Sequence, residues 1–366
     1  MRLGVQAALV RGELVRGDVE IDDGHIAAVG LAPVASGRIA VPGFVDLQVN
    51  GFGGVDFLTA GREDYARAGE ALLATGVTAY QPTFITADEV ATVEALREVP
   101  VDAQSPRVLG VHLEGPFISA KRLGAHPAAY RRDPDPALLD RLLDAGPVTE
   151  MTVAPELPGA VEMMARLRER SIVVSLGHTD ATADEARRAF NLGATGVTHV
   201  FNAMRPLQSR EPGIIGAALT RADVILTMLV DGQHLADETV RLVWFSARGR
   251  VALISDAIAA AGAGEGEFML GDTQVSVVGG APPMREDGTL AGTVLTMIDA
   301  VRNLHLLGVP LDQAVRAASS VPARLLGRTD VGVLAPGAPA DVVVLDDRVE
   351  IVAVVSRGDA AVVAGG

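Results

Sequence analysis

Residues 172–201, "IVVSLGHTDATADEARRAFNLGATGVTHVF", hold one complete strand–helix–strand unit. The runs at 172–177 (IVVSLG) and 196–201 (GVTHVF) read as strands, largely apolar as strands covered on both faces should be. Between them, Thr182 and Glu185 have the spacing of a capping box, which closes the free N–H groups of a helix's first turn. Gly193 sits where that helix should end. Two strands joined by a crossover helix run parallel. Each is followed by, or ends near, a histidine, His178 and His199.

The same alternation extends in both directions. Further strands are expected at 43–49, 77–84, 108–113, 149–154, 224–230 and 251–255, making eight in all. A second capping box is read at Thr86 and Glu89, and Gly76 marks another helix end. Eight such units predict an α/β fold, a (β/α)8 TIM-like barrel over residues 41–330. The ends differ. Residues 1–40 and 331–366 are short strands broken by Gly turns. Neither end alone makes a protected sheet, so they are expected to pair into one small β-sandwich domain beside the barrel. Residues 266–290 read as a hairpin insert with turns at Gly279–Gly280 and Asp287–Gly288.

Composition narrows the function. Of 366 residues 49% are hydrophobic, yet no uncharged apolar run reaches the roughly 18 residues that a membrane span needs. Arg, Glu and Gly enter the first 17 residues too early for a signal peptide. There is no cysteine, which removes disulfides and thiolate metal sites, and the cytoplasm is the expected compartment. A net charge of −15 argues against nucleic acid or anionic membrane as a partner. Any anionic substrate must then be held by local groups against that field.

In a barrel of this kind chemistry collects where the strands end. Those ends carry Gln48 and Asn50, Glu114, His178, His199 with Asn202, Asp231 with His234, and Asp256. Glu114 and Asp256 each follow an apolar run, where an unpaired carboxylate is costly. Glu114, His178 and His199 make a good zinc set, three protein ligands with a fourth position open. His112, two residues before Glu114, points to the same side of its strand and reads as a ligand, a supporting partner or barrel filling. His25 and His305 lie away from the strand ends and read as structural or exposed.

The motifs "PGFVDLQVNG", "HLEGPF", "KRLGAHP", "SLGHT", "THVFNAM", "REPG", "VDGQH", "SDA", "LAGTVLTM" and "APGAPADVVVLD" run through nearly the whole chain. Together they resemble the N-acetylglucosamine-6-phosphate deacetylase family of the amidohydrolase superfamily. Departures are mild: Val200, Ser255 and a less regular flap at Lys121–Tyr130. The resemblance implies hydrolysis of the acetamide of N-acetyl-D-glucosamine 6-phosphate, in amino-sugar catabolism and cell-wall sugar recycling. It implies that Glu114, His178 and His199 hold a catalytic metal, most simply Zn2+, and that Asp256 shuttles the proton. Ala125 and His126 would lie over the acetamido or sugar hydroxyl region. Asn202, the Ala203 amide, His234 and Arg210 would hold the sugar and its phosphate, and Leu290, Ala291 and Gly292 would line the site. In the family the arginine at the Arg210 position reaches in from a neighbouring subunit, which implies a homodimer or a dimer-based assembly. A deacetylase of a related sugar phosphate, such as N-acetylgalactosamine 6-phosphate, and a non-catalytic sensor on the same barrel are the alternatives.

One stretch raises a question of its own. "VPGFVDLQVNGFGG", residues 41–54, places Gln48 and Asn50 where two-metal members of the superfamily carry a histidine pair. The one lysine of the chain, Lys121, falls in the flap after the third strand and not at the end of the fourth, where the superfamily's metal-bridging lysine stands. The resemblance therefore implies a single-metal site, with Gln48 and Asn50 either hydrogen-bonded within it or filling the barrel.

Overall fold

The structure is a computed structural model that describes residues 1–101, 103 and 105–363. Eight parallel strands form its barrel: Phe44–Val49, Val77–Ile85, Val111–Glu114, Val148–Val153, Val173–Leu176, Gly196–Val197, Ile225–Met228 and Val251–Leu253. Each pairs with the next in order. The seam between last and first is closed by a bridge of Val49 to Ala257 and by Asp256 N–H donating to the Gln48 carbonyl, not by a full ladder. All six residues of the first strand and all nine of the second are buried, as double coverage requires. The helices between strands bury one apolar stripe each; Pro136–Ala145, for instance, turns Leu138, Leu139, Leu142 and Leu143 inward.

Three local expectations change. The third strand, expected at 108–113, is broken at Leu109–Gly110 into Arg107–Val108 and Val111–Glu114. The sixth stops at Val197 and not at 201, because His199 and Phe201 take positive φ (31° and 76°) and turn the chain out of the ladder. Thr182 and Glu185 form the capping box read from sequence, with Gly193 (φ 103°) just past the helix end and Gly76 (φ 86°) past another. Thr86 does not cap its helix. The helix starts at Glu89 and Asp88 caps it, accepting from Val90 and Ala91 N–H.

The two chain ends share one sheet of six strands, in the order Glu13–Arg16, Ala7–Val10, Ile39–Pro42, Val342–Leu345, Ile351–Ser356, Asp359–Val363. A hairpin of Asp18–Asp22 and His25–Leu31 supplies a second layer, and Val19, Ile21 and Ile26 pack with Ala8, Ala40, Val342 and Val344. The insert is a hairpin of Gly266–Leu270 and Thr273–Val277, with its tight turn at 271–272, a turn absent from the sequence reading. The expected turns near 279–280 and 287–288 follow it. Leu270, Val275, Val277 and Ala291 form a small apolar cluster with Ile85 and Ile258, which seats the insert on the mouth of the barrel.

Candidate active site

Glu114 is the last residue of its strand, and the chain brings His178 and His199 to it from the ends of the fifth and sixth. His178 Nε2 and His199 Nε2 lie 3.1 and 2.8 Å from Glu114 Oε1, and 3.1 Å from each other. All three residues are buried. His178 Nδ1 is 2.9 Å from the Arg122 carbonyl oxygen, which only accepts, so the proton is on Nδ1. Its Nε2 therefore turns a lone pair towards a carboxylate oxygen and a second imidazole nitrogen. That arrangement is repulsive unless a cation stands among the three, and a divalent metal satisfies all of them. Among the described residues this is the one group of three with metal-ligand geometry, its ligand atoms within 4.8 Å of one another. Burial works against ionised Glu114, but the imidazoles of His126, His178 and His199 around it hold its carboxyl well below the usual range.

Asp256 faces this group from the eighth strand. Its Oδ1 accepts from Gln48 Nε2 (3.1 Å) and Asn50 Nδ2 (2.7 Å), and the Gln48 amide also reaches Glu114 Oε1 (3.2 Å). Gln48 and Asn50 thus act as amide donors between the two carboxylates. Asn50 Oδ1 is buried without a partner. Burial, then the charge of Glu114, pushes the Asp256 carboxyl up to about 6. His178, His199 and Asp256 have φ of 46°, 31° and 48°, a left-handed backbone that ordinary residues enter only when the surroundings hold them there. For Asp256 the holding contacts are visible: Thr293 N–H donates to its carbonyl and Thr293 Oγ1 to that of Ser255.

A cavity of about 370 Å3 opens above these groups. Its wall includes Ala125 and His126 from the flap, Asn202 and Ala203, His234, and Leu290 and Gly292. His234 Nδ1 is 2.7 Å from Asp231 Oδ2, which puts the proton on Nδ1. Asn202 Nδ2 donates to the His199 and Val200 carbonyls. Two residues of the sequence reading are placed elsewhere. The Ala291 side chain is fully buried under the insert, and Arg210 is exposed and off the cavity wall. His112 lies beneath the ligand group, with Nδ1 3.3 Å from Thr83 Oγ1 and Nε2 2.7 Å from Thr152 Oγ1. His25 and His305 bond the Asp23 and Val309 carbonyls, far from the mouth. Sequence reasoning missed Thr86, which holds His126, and Leu270 and Thr289, by which the insert joins the wall. The insert itself was legible, and the Gly271–Asp272 pair between its two strands is the two-residue hairpin signal that could have placed the fold-back. A larger open cavity of about 960 Å3, between the insert and Pro127, holds none of these groups.

The chain matches known proteins over almost its full length. The amidohydrolase family model covers residues 39–363. Human N-acetylglucosamine-6-phosphate deacetylase is 38% identical over 342 residues, 88% of this chain and 83% of the human one. The N-acetylgalactosamine-6-phosphate deacetylase of Escherichia coli O157:H7 is 35% identical over 345 residues, 91% of each chain. A mutant N-acetyl-D-glucosamine-6-phosphate deacetylase from Mycobacterium smegmatis, solved in complex with N-acetyl-D-glucosamine 6-phosphate, superposes with a TM-score of 0.94 at 37% identity, covering 99% of both chains. The family match, the identity to these relatives and the shared fold show that the chain belongs to the amidohydrolase family, in its N-acetylglucosamine-6-phosphate deacetylase branch.

Proposed function

We propose that the chain hydrolyses the acetamide of N-acetyl-D-glucosamine 6-phosphate to D-glucosamine 6-phosphate and acetate. The observation that carries this is Glu114, His178 and His199 converging beside Asp256 at the floor of a sugar-sized cavity. Relatives of that name at up to 38% identity, and a substrate-bound neighbour at 37%, favour this sugar over its galactosamine epimer. A single divalent ion, Zn2+ by the chemistry of its donors, is held by the three ligands; when bound it supplies a Lewis acid for the amide carbonyl and acidifies water. No helix among the described residues is long and apolar enough to cross a membrane, and the proposed compartment is the cytoplasm.

The chain's own groups perform the proton chemistry. Asp256 Oδ1 is occupied by the Gln48 and Asn50 amides, leaving Oδ2 to receive a proton from the attacking water. The water oxygen bonds to the acyl carbon. Asp256 then gives its proton to the amine nitrogen as the C–N bond breaks, so one carboxyl is base and then acid. His126, on the cavity wall, would lie over the acetamido or sugar hydroxyl region. Acetate release should be assayed with N-acetylglucosamine 6-phosphate and N-acetylgalactosamine 6-phosphate in competition. Failure to release acetate from either overturns the reading, and preference for the second selects the epimer.

The phosphate site is proposed to be shared between subunits. Asn202, Ala203 and His234 stand on the cavity wall, but among the described residues no arginine or lysine does. Arg210 is exposed, consistent with donation to a neighbour's cavity in a homodimer. A guanidinium can meet two phosphate oxygens at once. Arg210→Ala is expected to lower kcat/KM for the phosphorylated sugar by about 2–3 kcal/mol, as for a charge-assisted pair. Unphosphorylated N-acetylglucosamine should remain a poor substrate of both proteins. Parent-like kinetics of the variant, or a fully active monomer in sedimentation, would exclude the shared site.

A further inference from the structure

The geometry points to Thr86 as a positioning residue that fixes the tautomer of His126, so that the imidazole presents Nε2–H to the acyl group of the substrate. The proposal rests on the deacetylase reading for what that N–H does, and not for where the proton sits.

Thr86 follows the second barrel strand, one residue beyond its end. Its S/T-x-x-E spacing is not used for capping, since Asp88 caps the helix. Its polar atoms turn to the active site instead. The Thr86 backbone N–H donates to His126 Nδ1 at 3.2 Å, and its hydroxyl lies 2.9 Å from the same nitrogen and 3.3 Å from the Glu114 carbonyl oxygen. A backbone N–H can only donate. A proton on Nδ1 would set two donors against each other, so Nδ1 is the acceptor. The hydroxyl proton then has two acceptors within reach and meets no competing donor. A neutral imidazole carries one proton, which this places on Nε2. His126 lies on the cavity wall, and its Nε2 is 3.6 Å from Glu114 Oε2, too far for a hydrogen bond. The Nε2–H is thus left free to meet a substrate oxygen. Attack on an amide moves charge onto the carbonyl oxygen, and a donor already aimed there stabilises the transition state more than the ground state. The other tautomer would offer that oxygen a lone pair.

The tautomer can be read directly. In metal-loaded protein labelled with 15N-histidine, long-range 1H–15N spectra separate protonated from unprotonated ring nitrogens, and loss of one ring's signals in His126→Gln identifies the residue. The expected result is an unprotonated Nδ1 and a protonated Nε2. The reverse pattern overturns the proposal, whatever the substrate proves to be. Kinetics test the consequence. Thr86→Val keeps the backbone donor but loses the hydroxyl, and kcat on N-acetylglucosamine 6-phosphate should fall about five- to tenfold, the size of one neutral hydrogen bond. KM and metal content should stay at parent values, and Thr86→Ser should restore kcat. Parent-like kcat in the valine variant, or loss of metal together with kcat, makes Thr86 a structural support of Glu114 and overturns the positioning role. A glutamine amide nitrogen stands near the imidazole Nε2 position and an asparagine one near Nδ1. His126→Gln should therefore retain more kcat than His126→Asn, and the opposite order counts against the proposal. A parent protein that leaves the sugar phosphate intact sinks the deacetylase reading, while the spectrum still decides the tautomer.

Discussion

Asp256→Asn is expected to fold, keep its metal and bind the sugar phosphate, but to lose about 10²–10⁴-fold in kcat, the range for removal of a general acid–base. Asparagine is nearly isosteric, and its carbonyl oxygen can still accept from Gln48 and Asn50 as Asp256 Oδ1 does. The backbone that holds residue 256 at φ 48° is pinned by Thr293 and does not depend on the carboxylate. What disappears is the proton acceptor. Burial and the neighbouring Glu114 lift the Asp256 carboxyl to about 6, close to the pH at which it must take and return a proton. The measurements are kcat, substrate affinity by calorimetry and metal content on one preparation. Near-normal turnover with the metal retained would mean that another group is the base.

The parts of this molecule that were legible in its sequence share a physical reason. Glu114 and Asp256 ended apolar runs, where a carboxylate needs a partner, and His178 and His199 stood at the edges of one β-α-β unit. Eight such units force their strand ends to one mouth, so the ligand group followed from topology. Its members come together with ligand atoms within 4.8 Å. Gln48 and Asn50 were open between hydrogen bonding and filling; in the structure the Gln48 amide donates to Glu114 and Asp256 and the Asn50 amide to Asp256. His112 was open three ways, and two threonine hydroxyls take both its ring nitrogens. The errors came where spacing is satisfied without its geometry. Thr86 and Glu89 fit a capping box, but an aspartate one residue before Glu89 is the better cap, and the threonine was free to serve His126. The sixth strand ended early because sequence periodicity carries no sign of a positive φ at His199. Arg210 was read from motif alone, and it is exposed and off its own chain's cavity wall.

Glu114→Ala is expected to strip the metal and with it all measurable deacetylation, while the parent carries close to one tightly held divalent ion per chain. Three ligands become two, and the loss is larger than a missing bond. Glu114 Oε1 is the atom on which both imidazole nitrogens and the Gln48 amide converge. Without it, His178 and His199, whose Nε2 atoms lie 3.1 Å apart, lose the carboxylate that completes the set around the ion. The single-ion count follows from the other side of the site. A second ion would have to sit between Asp256 and the first strand. There the Gln48 and Asn50 amide N–H groups point at the Asp256 carboxylate, and a cation could enter only by displacing them. Gln48→Ala and Asn50→Ala should accordingly keep the ion that Glu114→Ala loses. Elemental analysis of protein freed of loosely bound metal gives the count, and two tightly held ions per chain in the parent would sink the single-metal site even if Asp256 and Glu114 behave as expected.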